Sequence, residues 1–222
     1  MKLIEYPDRE MLAMGLADTL ASELKNCLLV HPHASFVVPG GTTPGPIFDS
    51  LCAARLDWDR VHVMLSDERW VPEDHDRSNA KLLKERLFVE RAAEAQFVPF
   101  HQPGKTPDEA ALELSGRLQG EMPISLLLLG MGADMHTASL FPGAVGLEAM
   151  LADDAPLVVP VSVDGQEPRI SFSGPALAGA MAKHLVIFGS EKRAALEAAQ
   201  SLDPREAPIR AVMSGLTVHW AE

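Results

Sequence analysis

Residues 126–142 read LLLLGMGADMHTASLFP, and the class of fold turns on how that stretch is interpreted. Leu126 to Leu129 is an apolar run short enough to be a strand buried on both faces. Gly130 and Gly132 break it, and a compact polar cluster follows: Asp134, His136, Thr137 and Ser139. A buried strand that ends in glycines and then polar groups is how an α/β protein builds a site at a strand's carboxyl end. His136 is the candidate base, because imidazole titrates near neutral pH. The alternative is a histidine that only caps the next helix or satisfies a turn.

Upstream, Ala34 to Val38 (ASFVV) has the same strand character and runs into Pro39-Gly40-Gly41-Thr42-Thr43-Pro44. A helix then begins, with Ile47, Phe48 and Leu51 on its buried side. Strand, glycine turn, hydroxyls and helix start together form an anion cradle of Gly40, Gly41, Thr42 and Thr43. No lysine follows the glycines, so this is not a nucleotide P-loop, and a dinucleotide fingerprint would need a third glycine. The competing reading is a tight turn, with Thr43 as cap and Pro44 at the first helical position. Val61 to Leu65 is the next strand, in which His62 reads as a satisfied sheet residue. It empties into Ser66-Asp67-Glu68-Arg69-Trp70-Val71-Pro72. Asp67, Glu68 and Arg69 there are either a solvated charge run or pocket residues. As pocket residues, Asp67 would accept from sugar hydroxyls and Arg69 would fork onto phosphate.

The remaining segments fill out an alternating pattern. Asp8 can cap a helix to about Lys25, with Leu12, Leu16, Leu20 and Leu24 as its buried stripe. Phe97 to Phe100 reads as a strand, Pro107 to Leu118 as a helix, and 143–156 as an irregular surface segment. Leu157 to Val161 and Arg169 to Phe172 read as strands flanking a turn at Gly165. His184 to Phe188 is a long buried strand leading through Gly189 into a helix that carries Lys192. Leu216 to Trp220 reads as a final edge strand. Such alternation predicts one α/β domain over residues 1–222, with a doubly wound, mostly parallel sheet and helices on both faces. In that architecture Gly41–Thr43, Asp67–Arg69 and Asp134–His136 converge on one crevice.

Composition narrows the function classes. At 222 residues, 47% apolar and 23% charged, the chain is globular. A net charge of −12 argues against nucleic-acid binding, and an anionic substrate would require a local basic pocket. Cys27 and Cys52 lack C-x-x-C spacing, which suits a reduced, cytoplasmic protein. No apolar run approaches the roughly 20 residues of a membrane span, and MKLIEYPDRE lacks a signal-peptide core. His31 and His33 could bite a metal, but no third ligand lies nearby in sequence, so neither metal nor cofactor is expected.

Residues 130–142 resemble the signature of the 6-phosphogluconolactonase family, G-x-G-x-D-G-H-T-A-S-L-F-P. Gly130, Gly132, Asp134 and His136 to Pro142 match, and Met135 stands where the family has glycine. Gly40 to Pro44 match the family's G-G-[ST]-T-P, and Asp67 to Pro72 match its D-E-R-x-V-P. Ser78-Asn79, Arg169-Ile170-Ser171 and Gly189 to Lys192 match its S-N, R-[IV]-[ST] and G-x-x-K. The resemblance covers most of residues 34–193. It implies a fold similar to glucosamine-6-phosphate deaminase, and hydrolysis of 6-phospho-D-glucono-1,5-lactone in the pentose phosphate pathway. It also implies His136 as the base oriented by Asp134, and Arg169 and Lys192 as phosphate ligands with Arg69 nearby. At Met135 we expect ordinary negative φ, with the flexible thioether lying along the pocket wall. A deaminase is the nearest rival, but it would carry N-E-P after the histidine and D-E-Y at the second loop. A second rival is a non-catalytic sugar-phosphate sensor, against which the retained Asp134 and His136 argue.

Overall fold

In the central strands every second residue enters a different core, which is why the apolar runs show no alternation. The computed structural model of the chain describes residues 1–163 and 165–222. Its strands are β1 (Lys2–Glu5), β2 (Ala34–Val38), β3 (Val61–Leu65), β4 (Asp67–Arg69) and β5 (Gln96–Val98). They continue with β6 (Leu126–Gly130), β7 (Val158–Val161), β8 (Arg169–Phe172), β9 (Ala182–Phe188) and β10 (Thr217–Ala221). The helices are α1 (Arg9–Val30), α2 (Gly45–Leu51), α3 (Asn79–Arg86), α4 (Pro107–Arg117), α5 (Leu147–Leu151), α6 (Gly174–Ala178) and α7 (Gly189–Ala199).

Seven strands form one parallel sheet in the order β1-β10-β9-β6-β2-β3-β5. Phe36, Val38, Val63, Leu65, Leu126 and Leu128 point into the core under α1, α2 and α3. Val37, Met64, Leu127 and Leu129 point the other way, into the core shared with α4, α5, α6 and α7. The doubly wound expectation is met. α1 holds the expected leucine stripe, and the Asp8 carboxylate accepts from Met11 N at 2.8 Å. That helix runs on to Val30, five residues past the expected end, and buries Leu28 as well.

Three expectations need correction. Leu216–Trp220 is not an edge: β10 lies between β9 and β1, and Lys2–Glu5 closes the sheet. With only Ile4 half-buried, KLIE has no local periodicity, so the partner strand decides its conformation. The segment 143–156 is not wholly irregular, because α5 buries Leu147 and Met150. Finally, β7 and β8 leave the main sheet and pair antiparallel with each other and with β4, as a second sheet in the order β4-β8-β7. Among the described residues no helix is long and apolar enough to cross a membrane.

The chain moves from β2 to β3 to β5 toward one edge, and from β6 to β9 to β10 toward the other. Neighbouring β2 and β6 are therefore where the winding reverses. Their carboxyl ends flank a crevice at this reversal, the usual location of a ligand in open α/β sheets.

Candidate active site

That crevice is a cleft of about 270 Å³, lined from the ends of β2, β3, β6 and β9 and roofed by the second sheet. It is close to the small end of ligand sites, on the order of 300 Å³. Gly40, Gly41, Thr42, Thr43, Asp67, Arg69, His136, Arg169 and Lys192 all line it. The convergence expected from strand ends is therefore present, and it brings together residues as distant in sequence as Gly40 and Arg169.

At the end of β6 the backbone makes a tight turn: Met135 N donates to Gly132 O at 3.0 Å, and Gly132 N to His136 O at 3.0 Å. The turn brings Asp134 Oδ1 to 2.6 Å from His136 Nδ1, and the same oxygen accepts from His136 N at 3.2 Å. With Nδ1–H given to the carboxylate, Nε2 is the nitrogen left with a free lone pair. The imidazole packs on the Phe141 ring at 4.5 Å and lines the cleft, while Asp134 sits behind it, exposed to solvent. Met135 has φ +67°, not the negative value expected. The hydrogen bonds of this turn, and one from Ile209 N to Met135 O at 3.1 Å, fix the backbone in a left-handed conformation that favours glycine.

The glycine turn after β2 departs from the simple helix-start picture. No side chain caps α2, Pro44 occupies the N-cap, and the helix has seven residues. The capping alternative for Thr43 fails, and so short a helix offers little dipole, so charge for an anion must come from side chains. Gly41 has φ +82°, and a Cβ on Gly40 would collide with Asn79 Oδ1 at 1.8 Å. Gly40 is thus required for the loop to lie against α3.

The charge comes from the second sheet. β4 and β8 pair so that Arg69 stands directly opposite Arg169, and both line the cleft. Like charges in that register repel. Arg169 is 7% exposed; Nη2 donates to Gln166 Oε1 at 2.7 Å, and Nη1 lies 3.9 Å from Asp67 Oδ2. Burial pushes the Arg169 guanidinium below its ordinary value, Asp67 opposes the shift, and Arg69 and Arg77 add to it. Arg69 Nη1 donates to Arg77 O at 3.1 Å and to Asn79 Oδ1. Lys192, in the first turn of α7, completes three cations against the single carboxylate of Asp67 in the cleft wall. A chain of net charge −12 thus holds a local basic pocket.

Two acidic residues play different parts from those a reading as pocket groups suggests. Asp67 lines the cleft, yet its oxygens accept from Ser66 Oγ at 3.0 Å and Ser139 Oγ at 2.5 Å. Glu68 does not line the cleft. It is fully buried and accepts from Arg69 N, Asn79 N and Ala80 N, each at 2.8 Å, and from Ser78 Oγ at 3.0 Å. It clamps the start of α3 to β4, and burial pushes its carboxyl above the ordinary value despite those bonds. Ser139, too, is fully buried. Asn79, half of the Ser78-Asn79 match and given no role of its own by it, lines the cleft and donates from Nδ2 to Asp67 O at 2.8 Å. Met131 and Val186 add an apolar floor that no polar motif announced.

With that geometry in place, comparison with known proteins is direct. The family described as "Glucosamine-6-phosphate isomerases/6-phosphogluconolactonase" matches residues 7–220. A 6-phosphogluconolactonase from Rhizobium meliloti (strain 1021) is 41% identical over 100% of this chain and 98% of its own length. One from Pseudomonas aeruginosa is 41% identical over 94% of this chain and 90% of its own. The crystal structure of a 6-phosphogluconolactonase from Shewanella baltica OS155 superposes with a TM-score of 0.95 at 31% identity, over 100% of this chain and 98% of that one. A monomeric glucosamine-6-phosphate deaminase shares the fold, with a TM-score of 0.82 at 15% identity over 100% and 98% of the two chains. The signature at the end of β6, the glycine turn after β2 and a match along nearly the whole chain agree, and the chain belongs to the glucosamine-6-phosphate isomerase/6-phosphogluconolactonase family.

Proposed function

We propose that this cleft hydrolyses 6-phospho-D-glucono-1,5-lactone to 6-phospho-D-gluconate, the lactonase step of the oxidative pentose phosphate pathway, with His136 as general base. The observation that carries the mechanism is the 2.6 Å contact between His136 Nδ1 and Asp134 Oδ1 at the wall of a cationic cleft. A lactone carbonyl is already electrophilic, so the protein has to supply an activated water and hold the substrate. Nε2 takes a proton from water as its oxygen attacks C1, and Asp134 stabilises the imidazolium that forms. Collapse of the tetrahedral intermediate breaks the bond from C1 to the ring oxygen, and the imidazolium returns its proton to that oxygen. Ring opening is complete with no covalent enzyme intermediate, consistent with Ser139 being buried against Asp67.

The facing pair Arg69 and Arg169, with Lys192 and the Gly40–Thr43 loop, is the arrangement that a phosphate dianion would relieve of its repulsion. Asp67 acts on the substrate through the groups it holds, namely Ser66, Ser139 and Arg169, and Glu68 through β4 and α3. Two free cysteines, a net charge of −12 and a phosphorylated sugar substrate fit a single-domain cytoplasmic enzyme without nucleic-acid partners.

Freshly prepared lactone, with spontaneous hydrolysis subtracted, tests this directly. The wild-type chain should turn it over and release no ammonia from glucosamine 6-phosphate. His136→Ala should lower kcat by about 10²–10⁴ while KM changes little. Unchanged turnover in that variant, or equal losses in kcat and binding, would remove His136 from the role of base.

A further inference from the structure

At the opposite end of the sheet from the cleft, the fold supplies the ligands that the local sequence around His31 and His33 lacked. His33 immediately precedes β2, His62 is the second residue of β3, and Glu121 lies on the approach to β6. Among the described residues they form the one group of three histidine, cysteine or carboxylate side chains whose ligand atoms all lie within 4.8 Å of one another. His62 Nδ1 is 2.8 Å from Glu121 Oε1, and His33 Nε2 is 3.4 Å from Glu121 Oε2. The two imidazoles stack with centroids 4.5 Å apart and planes 12° apart, so both present a nitrogen to the same carboxylate.

We propose that His33, His62 and Glu121 are a binding site for a divalent cation of the zinc class, separate from the lactone cleft. Two imidazoles and a carboxylate are a donor set for such ions, with a solvent molecule in the fourth position. Tetrahedral donors at zinc distances stand about 3.3 Å apart, and the 2.8 and 3.4 Å contacts lie on either side of that spacing. Glu121 Oε2 carries the strongest indication of a missing partner: it is buried and accepts no hydrogen bond. The three side chains are 34%, 22% and 16% exposed, so an ion can reach them from solvent.

The supports are fixed independently of the ligands. Arg60 holds the segment before His33, donating to Leu28 O at 2.9 Å, His31 O at 2.7 Å and Pro32 O at 2.9 Å. Ser35 Oγ donates to Glu121 O at 2.9 Å, tying the β6 approach to β2. Among the described residues, Arg117 is the one cation lining the adjoining hollow, which His62 and Glu121 also line. Against it stand the Glu121 carboxylate and a chain of net charge −12. An ion at this site would pin the amino-terminal ends of β2 and β3 to the approach of β6.

Full-length protein, stripped with a chelator and titrated with zinc chloride, should bind one equivalent at this site and melt at higher temperature. His136→Ala should keep that equivalent, which separates the foot of the sheet from the cleft. His33→Ala and the near-isosteric Glu121→Gln should each weaken it by at least about tenfold. Both should leave lactone turnover of the metal-free enzyme unchanged. Wild-type binding in both variants overturns the proposal, as does the absence of saturable binding in the parent protein. Should His33→Ala fail to fold, Glu121→Gln decides alone.

Discussion

A Cβ on residue 132 would stand 2.2 Å from Nδ1 of His136, so Gly132 is the residue that allows the imidazole to close onto its carboxylate. The same atom would lie 2.4 Å from Asp134 Oδ1. Gly132 does not have positive φ; its requirement is space, not conformation. The glycine is therefore tied to the chemistry of the site rather than to the turn itself.

Gly132→Ala should separate the two. The alanine displaces His136 and Asp134 by an ångström or so, and a misplacement on that scale can cost about 10²-fold in rate. We expect kcat to fall to that extent with KM near its original value. Thermal melts should show a folded protein, and a variant with wild-type kcat would mean that His136 does not act from the position described.

Arg169→Ala should weaken the phosphorylated lactone by roughly 1.5–3 kcal/mol, as for hydrogen bonds to charged groups. The slower reaction of plain gluconolactone, which has no phosphate for the arginine pair, should hardly change. Comparing kcat/KM on the two substrates checks this. Equal losses would make Arg169 a structural partner of Asp67 and not a phosphate ligand.

Met135 carries the cost of its left-handed backbone, about 1–2 kcal/mol. Met135→Gly relieves that strain, loses roughly 0.5–1 kcal/mol to chain entropy, and gives up some packing against the core. We expect stability equal to the parent or higher by about 0.5 kcal/mol, with turnover retained. Met135→Val, β-branched at positive φ, should be clearly less stable than either. Denaturant melts order the three proteins, and valine ranking above glycine would contradict the backbone geometry.

Glu68 gives a pH signature. Its ordinary value is 4.5, and burial raises it in the folded chain. Between that ordinary value and the raised one, the folded chain keeps a proton that the unfolded chain has released. Stability therefore falls as pH rises through the window. Glu68→Gln should lose this contribution. It should also cost about 1–3 kcal/mol at neutral pH, because its amide N–H groups face backbone donors. Melts of both proteins across the window, compared as a difference, isolate the effect; a difference independent of pH would refute it.

Much of the fold was legible because its strands are short apolar runs that break at glycines or polar residues. ASFVV, VHVML and LLLLG could be read locally, and each led into the polar group it delivers to the cleft. The β4–β8–β7 sheet could not be read that way. Asp67–Arg69 has the composition of a loop, and only pairing with β8 makes it a strand that faces Arg69 to Arg169. Glu68 shows the same limit: in sequence it belongs with its charged neighbours, and in the fold it turns inward to hold α3.

The sequence by itself determined the parallel doubly wound class, the residues at the strand ends and the family. Those features are written in local periods and contiguous motifs, which need no partner to be recognised. Tertiary structure alone decided that Lys2–Glu5 closes the sheet, that Met135 is left-handed, that two arginines face each other, and that His33 meets His62 and Glu121. Each of these depends on register between segments distant in the chain, or on a backbone conformation imposed by hydrogen bonds from them, and neither leaves a mark in the neighbouring residues.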